Sequence, residues 1–396
     1  MLSKSTLPLV LALLSMVGAW GIDAYLPSFQ AIAQRFEASP VLVQQTLSVY
    51  IGAMAITVLF AGTLSDSLGR RPLVLGAVLL FAAASVLGMM AGDIQTLIVA
   101  RALQGVAAGM TTVLSRTIVQ DLFSGAEAQR VMAMITMVFS IAPSVAPVVG
   151  GWLQTTFDWQ AVFAMLALYG ISLWALCHRG VQESLPAGQR VPLKPGRILN
   201  NYGMVLRHGP FMLMVLSIGL VFTGIALHVS SASAYVLGIL GLTETDFAWL
   251  FIPMTTGILL GSSMARRFAR RVPAERLTRA GLGVMLTACA LNVLYTQSFV
   301  PALPFAVLPL GIYTFGMSLA LPGMTVAALS NFPGMRGVAA SMQSFVQMGL
   351  FSLVSAFVAP RVFHSAQALA WAHLAGLLAG ILLWMLAARF RARPGA

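Results

Sequence analysis

This chain is short of charge. Only 9% of its 396 residues are Asp, Glu, Lys or Arg, where a soluble domain carries about 25%. So little charge cannot cover a water-facing surface, which excludes a soluble enzyme and a disordered chain together. Cysteine is nearly absent too. Cys177 and Cys289 stand far apart in apolar stretches, so neither a disulfide framework nor a thiolate metal site is expected. No P-loop occurs, and no His, Asp or Glu cluster has catalytic or metal-ligand spacing. The sequence therefore implies no cofactor, no metal and no intramembrane enzyme. What fills the space is hydrophobicity, 59% of the chain, with 36 Gly and 19 Pro scattered through it, a mixture common in membrane helices.

A membrane-crossing helix needs about 20 mostly apolar residues. Apolar runs bounded by charge, Pro-Gly clusters or polar turns predict twelve: 7–30, 41–64, 73–91, 94–118, 130–153, 159–178, 211–237, 246–265, 277–297, 301–329, 337–359 and 367–388. The first could pass for a signal peptide. It runs on past Asp23 into Tyr25-Leu26-Pro27 without a small-residue cleavage site, so it is read as a span. The formal charge of +12 is mostly Arg in the loops, a topology signal before it is a nucleic-acid signal. With the N-terminus inside, the cytoplasmic segments hold Lys4, Arg70, Arg71, Arg116, Arg130, Arg179, Arg190, Lys194, Arg197 and Arg207. They also hold Arg266, Arg267, Arg270, Arg271, Arg276, Arg279, Arg336, Arg389, Arg391 and Arg393, making 20 of the 23 Lys and Arg. That distribution predicts twelve spans with both ends cytoplasmic. The polar stretch 179–209 divides the chain into bundles over 1–178 and 210–396, the plan of transporters built from repeated halves.

A few polar groups sit at membrane depth. Asp23 is the one acid among eleven that is not in a loop or at a span end, and Arg101 is the corresponding base. At 1.5 Å per residue both fall in the outer half of a core about 30 Å thick. Two readings stay open: a buried ion pair that fixes helix register, or a carboxylate that exchanges protons as Arg101 and a ligand compete for it. His228 reads as the only other titratable group well inside a span, either a packing residue or a proton carrier. Gln104, Asn292, Gln343 and Gln347 are intramembrane amides, and the last two share a helix face. Their ordinary use is interhelical hydrogen bonding.

Between the second and third spans lies Gly62-Thr63-Leu64-Ser65-Asp66-Ser67-Leu68-Gly69-Arg70-Arg71-Pro72. The string resembles the loop signature of the major facilitator superfamily. Arg101-Ala102-Leu103-Gln104-Gly105 resembles that superfamily's Arg-x-x-Gln-Gly pattern of proton-coupled members. Pro143 to Gly151, with Pro147, Gly150 and Gly151, is similar to its antiporter signature, with Ala146 in the place of the first Gly. Ile22-Asp23-Ala24-Tyr25-Leu26-Pro27 narrows the resemblance to the Bcr/CflA-type group, twelve-span drug:proton antiporters. Phe157 to Phe163 and Phe332 to Ser341 stand in matching places. Two departures are visible: Gln120 replaces the usual Arg before Asp121, and Ala234 stands where a Gly-Pro is common. With Gln120 there, either Arg116, one turn earlier, takes over pairing with Asp66 or the cytoplasmic gate is weaker, with Arg70 or Arg116 expected to hold Asp66.

The resemblance implies an all-helical transporter of two six-helix bundles in the bacterial inner membrane, with a site near the midplane between the bundles. It would export a small amphipathic compound in exchange for protons. Asp23 and Arg101 would couple the proton. Trp20, Tyr25, Tyr50, Gln104, His228, Gln343 and Gln347 are candidates for substrate contact. Gly62, Asp66, Gly69, Arg70, Arg71 and Arg116 would form a cytoplasmic gate. The expected partners are substrate, protons and the bilayer, with no nucleic acid, and the chain is expected to act as a monomer. Rival readings are a symporter, an exporter of a sugar or nucleoside, and a sensor or channel.

Overall fold

The computed structural model describes residues 6–269 and 271–391. Lys4, Arg270 and Arg393 of the charge argument lie outside these residues, as do the side chains of Arg197 and Arg391. Among the described residues every regular element is helical. Twelve helices of the described residues are long and apolar enough to cross a membrane. They are α1 (Leu7–Asp23), α2 (Pro40–Leu68), α3 (Arg70–Met89), α4 (Ile94–Leu122), α5 (Gly125–Phe157) and α6 (Gln160–Gly180), then α7 (Gly209–Ser230), α8 (Ala248–Phe268), α9 (Ala274–Ser298), α10 (Leu308–Leu329), α11 (Arg336–Leu353) and α12 (Ala366–Arg391). The first span continues beyond α1 through short helices at Leu26–Ser28 and Phe29–Arg35.

The expected spans are these twelve, with local differences. The tenth helix starts at Leu308 and not near 301, because Pro301 and Pro304 supply no backbone donor and disfavour helix in the residue before them. The seventh helix breaks at Ser231 and resumes as a π-helical segment, Ala234–Ile239. A second π-helical segment, Val354–Val358, extends α11. The stretch expected to be a polar linker contains a helix, Pro195–Arg207. Ile198, Tyr202 and Val205 recur at helical spacing, and the last two are buried; the prolines and charges around them hide that periodicity in the sequence.

The chain divides into two compact units, Met1–Lys194 and Pro195–Ala396. Within each, small residues let helices approach. In the first, a Cβ on Gly105 of α4 would stand 2.1 Å from the Tyr50 carbonyl oxygen of α2. In the second, a Cβ on Gly257 of α8 would stand 2.1 Å from the Gly311 carbonyl oxygen of α10. Without an apolar driving force between helices in lipid, such close backbone packing supplies much of the association.

Candidate functional site

The close approach at Gly105 fixes what surrounds Arg101, one turn earlier on α4. The Arg101 guanidinium carbon lies 4.2 Å from the Tyr50 ring centroid and 4.4 Å from that of Tyr25. Arg101 is fully buried between the two faces. Its Nη1 donates to Gln104 Oε1 at 2.8 Å, and Gln104 Nε2 donates to Ser85 Oγ at 2.8 Å. Nε and Nη2 of Arg101 have no hydrogen-bond partner among the described residues. The tyrosine hydroxyls are used elsewhere: Tyr50 donates to the Gly18 carbonyl at 3.1 Å, and Tyr25 shares a 2.8 Å bond with Thr46 Oγ1. Tyr25, Tyr50 and Gln104, read from the sequence as substrate-contact candidates, are all fully buried. They pack around Arg101 and present no surface to a ligand. Trp20, partly exposed, stacks on Tyr169 with centroids 6.1 Å apart.

Asp23 ends α1 and is 4% exposed. Among the described residues no ion pair and no side-chain hydrogen bond reaches it. The direct Asp23–Arg101 pair envisaged from their common depth is therefore not formed, because the rings and Gln104 hold the guanidinium. Asp23 sits beside the Pro-Gly signature of α5. A Cβ on Gly150 would lie 2.0 Å from the Ala24 carbonyl oxygen, so α5 can touch α1 at this height only through a glycine. Pro143 and Pro147 lie within α5, and Gly151 is buried beside Gly150.

At the α2–α3 turn the Gly-Asp-Gly-Arg-Arg string forms a network. Gly69 has φ of 98°, which an L side chain rarely adopts. Arg70 is buried; its Nη1 lies 2.7 Å from Asp66 Oδ1 and 2.6 Å from Ser65 Oγ, and its Nε donates to Asp121 Oδ2 at 3.1 Å. Of the two expected partners of Asp66 it is Arg70 that pairs; among the described residues Arg116 makes no ion pair, and Asp121, in the last turn of α4, also reaches Arg70. Gly62 faces open space. Sequence reasoning missed Glu183. Its Oε1 accepts from the Arg70 backbone N–H at 2.9 Å and its Oε2 from that of Arg71 at 3.3 Å. The signal was there: Gly69, at the N-cap of α3, has no side chain to satisfy the free donors of that helix. Arg71 donates to the carbonyls of Val181 and His178, Ser184 Oγ to Asp121 Oδ2, and the Val191 N–H to the Asp66 carbonyl at 3.0 Å. Residues 181–191 thus lie as a strap across the turn.

In the second unit His228 has company the sequence reading overlooked: His373 also lies well inside a span, on α12, its ring centroid 4.9 Å from that of His228. Gln343 Nε2 donates to Thr325 Oγ1 at 3.1 Å, tying α11 to α10, while its Oε1 is buried without a partner. Gln347 stands one turn on, partly exposed. No group of three or more His, Cys, Asp or Glu is arranged to hold a metal among the described residues.

Residues 10–356 match the model of the Major Facilitator Superfamily. The chain belongs to that superfamily. It is thus a transporter and not an enzyme. Among facilitators in the curated proteins, a bicyclomycin resistance protein homolog of Haemophilus influenzae is 30% identical over 89% of this chain and 88% of its own length. Multidrug resistance protein D of Escherichia coli is 26% identical over 86% of this chain and 84% of its own. These relatives are consistent with a Bcr/CflA-type facilitator. A D-xylose–proton symporter of known structure superposes with TM-score 0.74 at 18% identity, covering 96% of this chain and 97% of that one. That likeness speaks for the fold of this facilitator alone.

Proposed function

We propose that this facilitator exports a small amphipathic compound from the cytoplasm in exchange for protons, by alternating access in a bacterial inner membrane with both chain ends cytoplasmic. The observation that carries the reading is Asp23, a buried acid with no ion pair or side-chain hydrogen bond among the described residues, on a span of a transporter. Charge at membrane depth is costly and is kept where it works. A carboxylate without a fixed counterion can take and release a proton; Arg101, held between Tyr25 and Tyr50 of the same bundle, is the second charge at membrane depth. The relatives' resistance names support a drug-like cargo. The Asp66–Arg70–Asp121 network, with the strap over it, acts in this reading as the cytoplasmic gate.

A compound panel in an exporter-deficient bacterium identifies a cargo, and reconstituted vesicles with an imposed pH gradient then test the coupling. Asp23→Asn is expected to abolish gradient-driven transport while remaining folded in the membrane. Full proton-driven efflux by that variant would remove Asp23 from the coupling role, and accumulation in place of extrusion under the same gradient would mark an importer.

A further inference from the structure

The histidine pair of the second unit has no part in the reading above. His228, near the end of α7, and His373, in the first half of α12, are both more than nine-tenths buried. Their ring planes cross at 67°. His228 Nδ1 lies 2.8 Å from the Gly224 carbonyl oxygen; a carbonyl only accepts, so Nδ1 carries the hydrogen and Nε2 is left as the open position. His373 Nε2 is sealed from solvent with no hydrogen-bond partner. Tyr313 of α10 presses its ring to within 4.1 Å of the His373 centroid, with its hydroxyl committed to the Val221 carbonyl at 2.6 Å. Gly224 makes the arrangement possible. A Cβ there would fall 2.2 Å from His373 Nε2 and 2.6 Å from Tyr313 Cζ.

Packing alone does not account for this cluster. A histidine used only to fill space is expected to satisfy its nitrogens, because an unmade bond on a buried polar atom is a standing cost. A proton changes the balance. An imidazolium against the Tyr313 ring gains a cation–π contact. A first positive charge opposes a second so close by, so two such rings titrate as a coupled pair and take one proton before two. The surroundings leave the pair to itself. The titratable groups facing it are Tyr235, whose ring lies 6.4 Å from that of His228, Tyr313, and Cys289 of α9 beside Tyr313. The charged residues of α9, α11 and α12 stand at their helix ends (Glu275, Arg276, Arg279; Arg336; Arg389), and α7 and α10 contain none. Among the described residues no ion pair includes either ring.

We infer that His228 and His373 form a dyad that binds a single proton inside the second unit, at a site separate from Asp23. The test uses the full chain in lipid nanodiscs with ring nitrogens labelled in its five histidines, followed by nitrogen NMR over a range that runs from neutrality well into acid, past the ordinary histidine value of about 6.5. Two ring signals, assigned through His228→Gln and His373→Gln, are expected to shift together. Deleting either ring should move the midpoint of the other by roughly one pH unit. If the core variants do not fold, His178→Gln, His208→Gln and His364→Gln assign the same two signals by elimination, and their joint shift decides. Rings that stay neutral throughout, or that titrate with midpoints indifferent to each other, would overturn the dyad. The titration should survive in Asp23→Asn; its loss there would show that the proton belongs to Asp23 and sink the proposal. Failure of Asp23 as the coupling group would leave this titration untouched.

Discussion

A guanidinium shut away from water is held here by two aromatic faces and one amide. Each desolvated cation–π contact is worth about 2 kcal/mol, and Arg101 makes two. That offsets part of what is lost by leaving Nε and Nη2 unbonded. A lysine would keep the charge but not the flat stacking of the fork. Arg101→Lys and Tyr50→Leu are therefore each expected to lower the melting point of the solubilised protein, by an amount equivalent to about 1–2 kcal/mol. Tyr50→Phe, which keeps the ring and gives up only the bond to Gly18, should fall less. Intrinsic tryptophan fluorescence on heating reads the difference, and a Tyr50→Leu melt superimposed on the parent's would mean the ring does not hold the charge. Hydropathy alone was enough to pick out Asp23 and Arg101, since a charge in an apolar run is visible in one dimension. The two tyrosines around Arg101 were not legible as its shell. Their role depends on the rotation and depth of α1 and α2 against α4, which a residue list does not carry. His373 was within reach, lying in plain view in the last apolar run.

The helices begin and meet by rules that can be tested one at a time. Asp93 caps α4, accepting the Thr96 backbone N–H at 2.8 Å and its hydroxyl at 2.9 Å. Those bonds hold its carboxyl below the usual range. A lowered native value means the cap contributes fully above the ordinary aspartate value of about 3.9 and fades as pH falls through the native one. The melting advantage of the parent over Asp93→Ala should accordingly be constant near neutrality and vanish in acid; an advantage that persists below both values would contradict the assignment. Glycines divide just as clearly. Gly150→Ala places a methyl 2.0 Å from the Ala24 carbonyl, so α1 and α5 must separate. Overpacking of that kind costs about 1–3 kcal/mol, and transport should fall with stability. Gly62→Ala meets nothing within 4 Å and should melt no lower than the parent. Equal melting of the two variants would show that the motif glycines are not sorted by packing. The sequence marks both as motif members and cannot tell them apart, because the distinction lies in what the opposite helix brings to each.

Across the whole chain, twelve spans were legible because apolar length is a local property, whereas the helix Pro195–Arg207 and the strap were not. Glu183 reaches residues 113 positions away, and its partner is a backbone donor with no signature of its own. The division between units falls after Lys194, so the strap belongs to the first unit. Glu183→Ala should loosen that segment, since it leaves the first turn of α3 uncapped and frees Arg190, whose Nη2 lies 3.6 Å from Glu183 Oε2. Protease chemistry turns this into a signal. Trypsin needs an extended, unbonded stretch around a Lys or Arg. The peptide joining Arg190 to Val191 is tied down by its own N–H, and Lys194 is followed by a proline, which blocks cleavage there. The 181–194 segment, though exposed over much of its length, is thus expected to resist nicking while the network at Asp66 and Arg70 is intact. A cut after Arg190, scored by mass spectrometry of the fragments, would then be a clock for the opening of that network. It should run faster in Glu183→Ala, and a digestion rate unchanged from the parent's would mean that the segment is guarded by something other than Glu183.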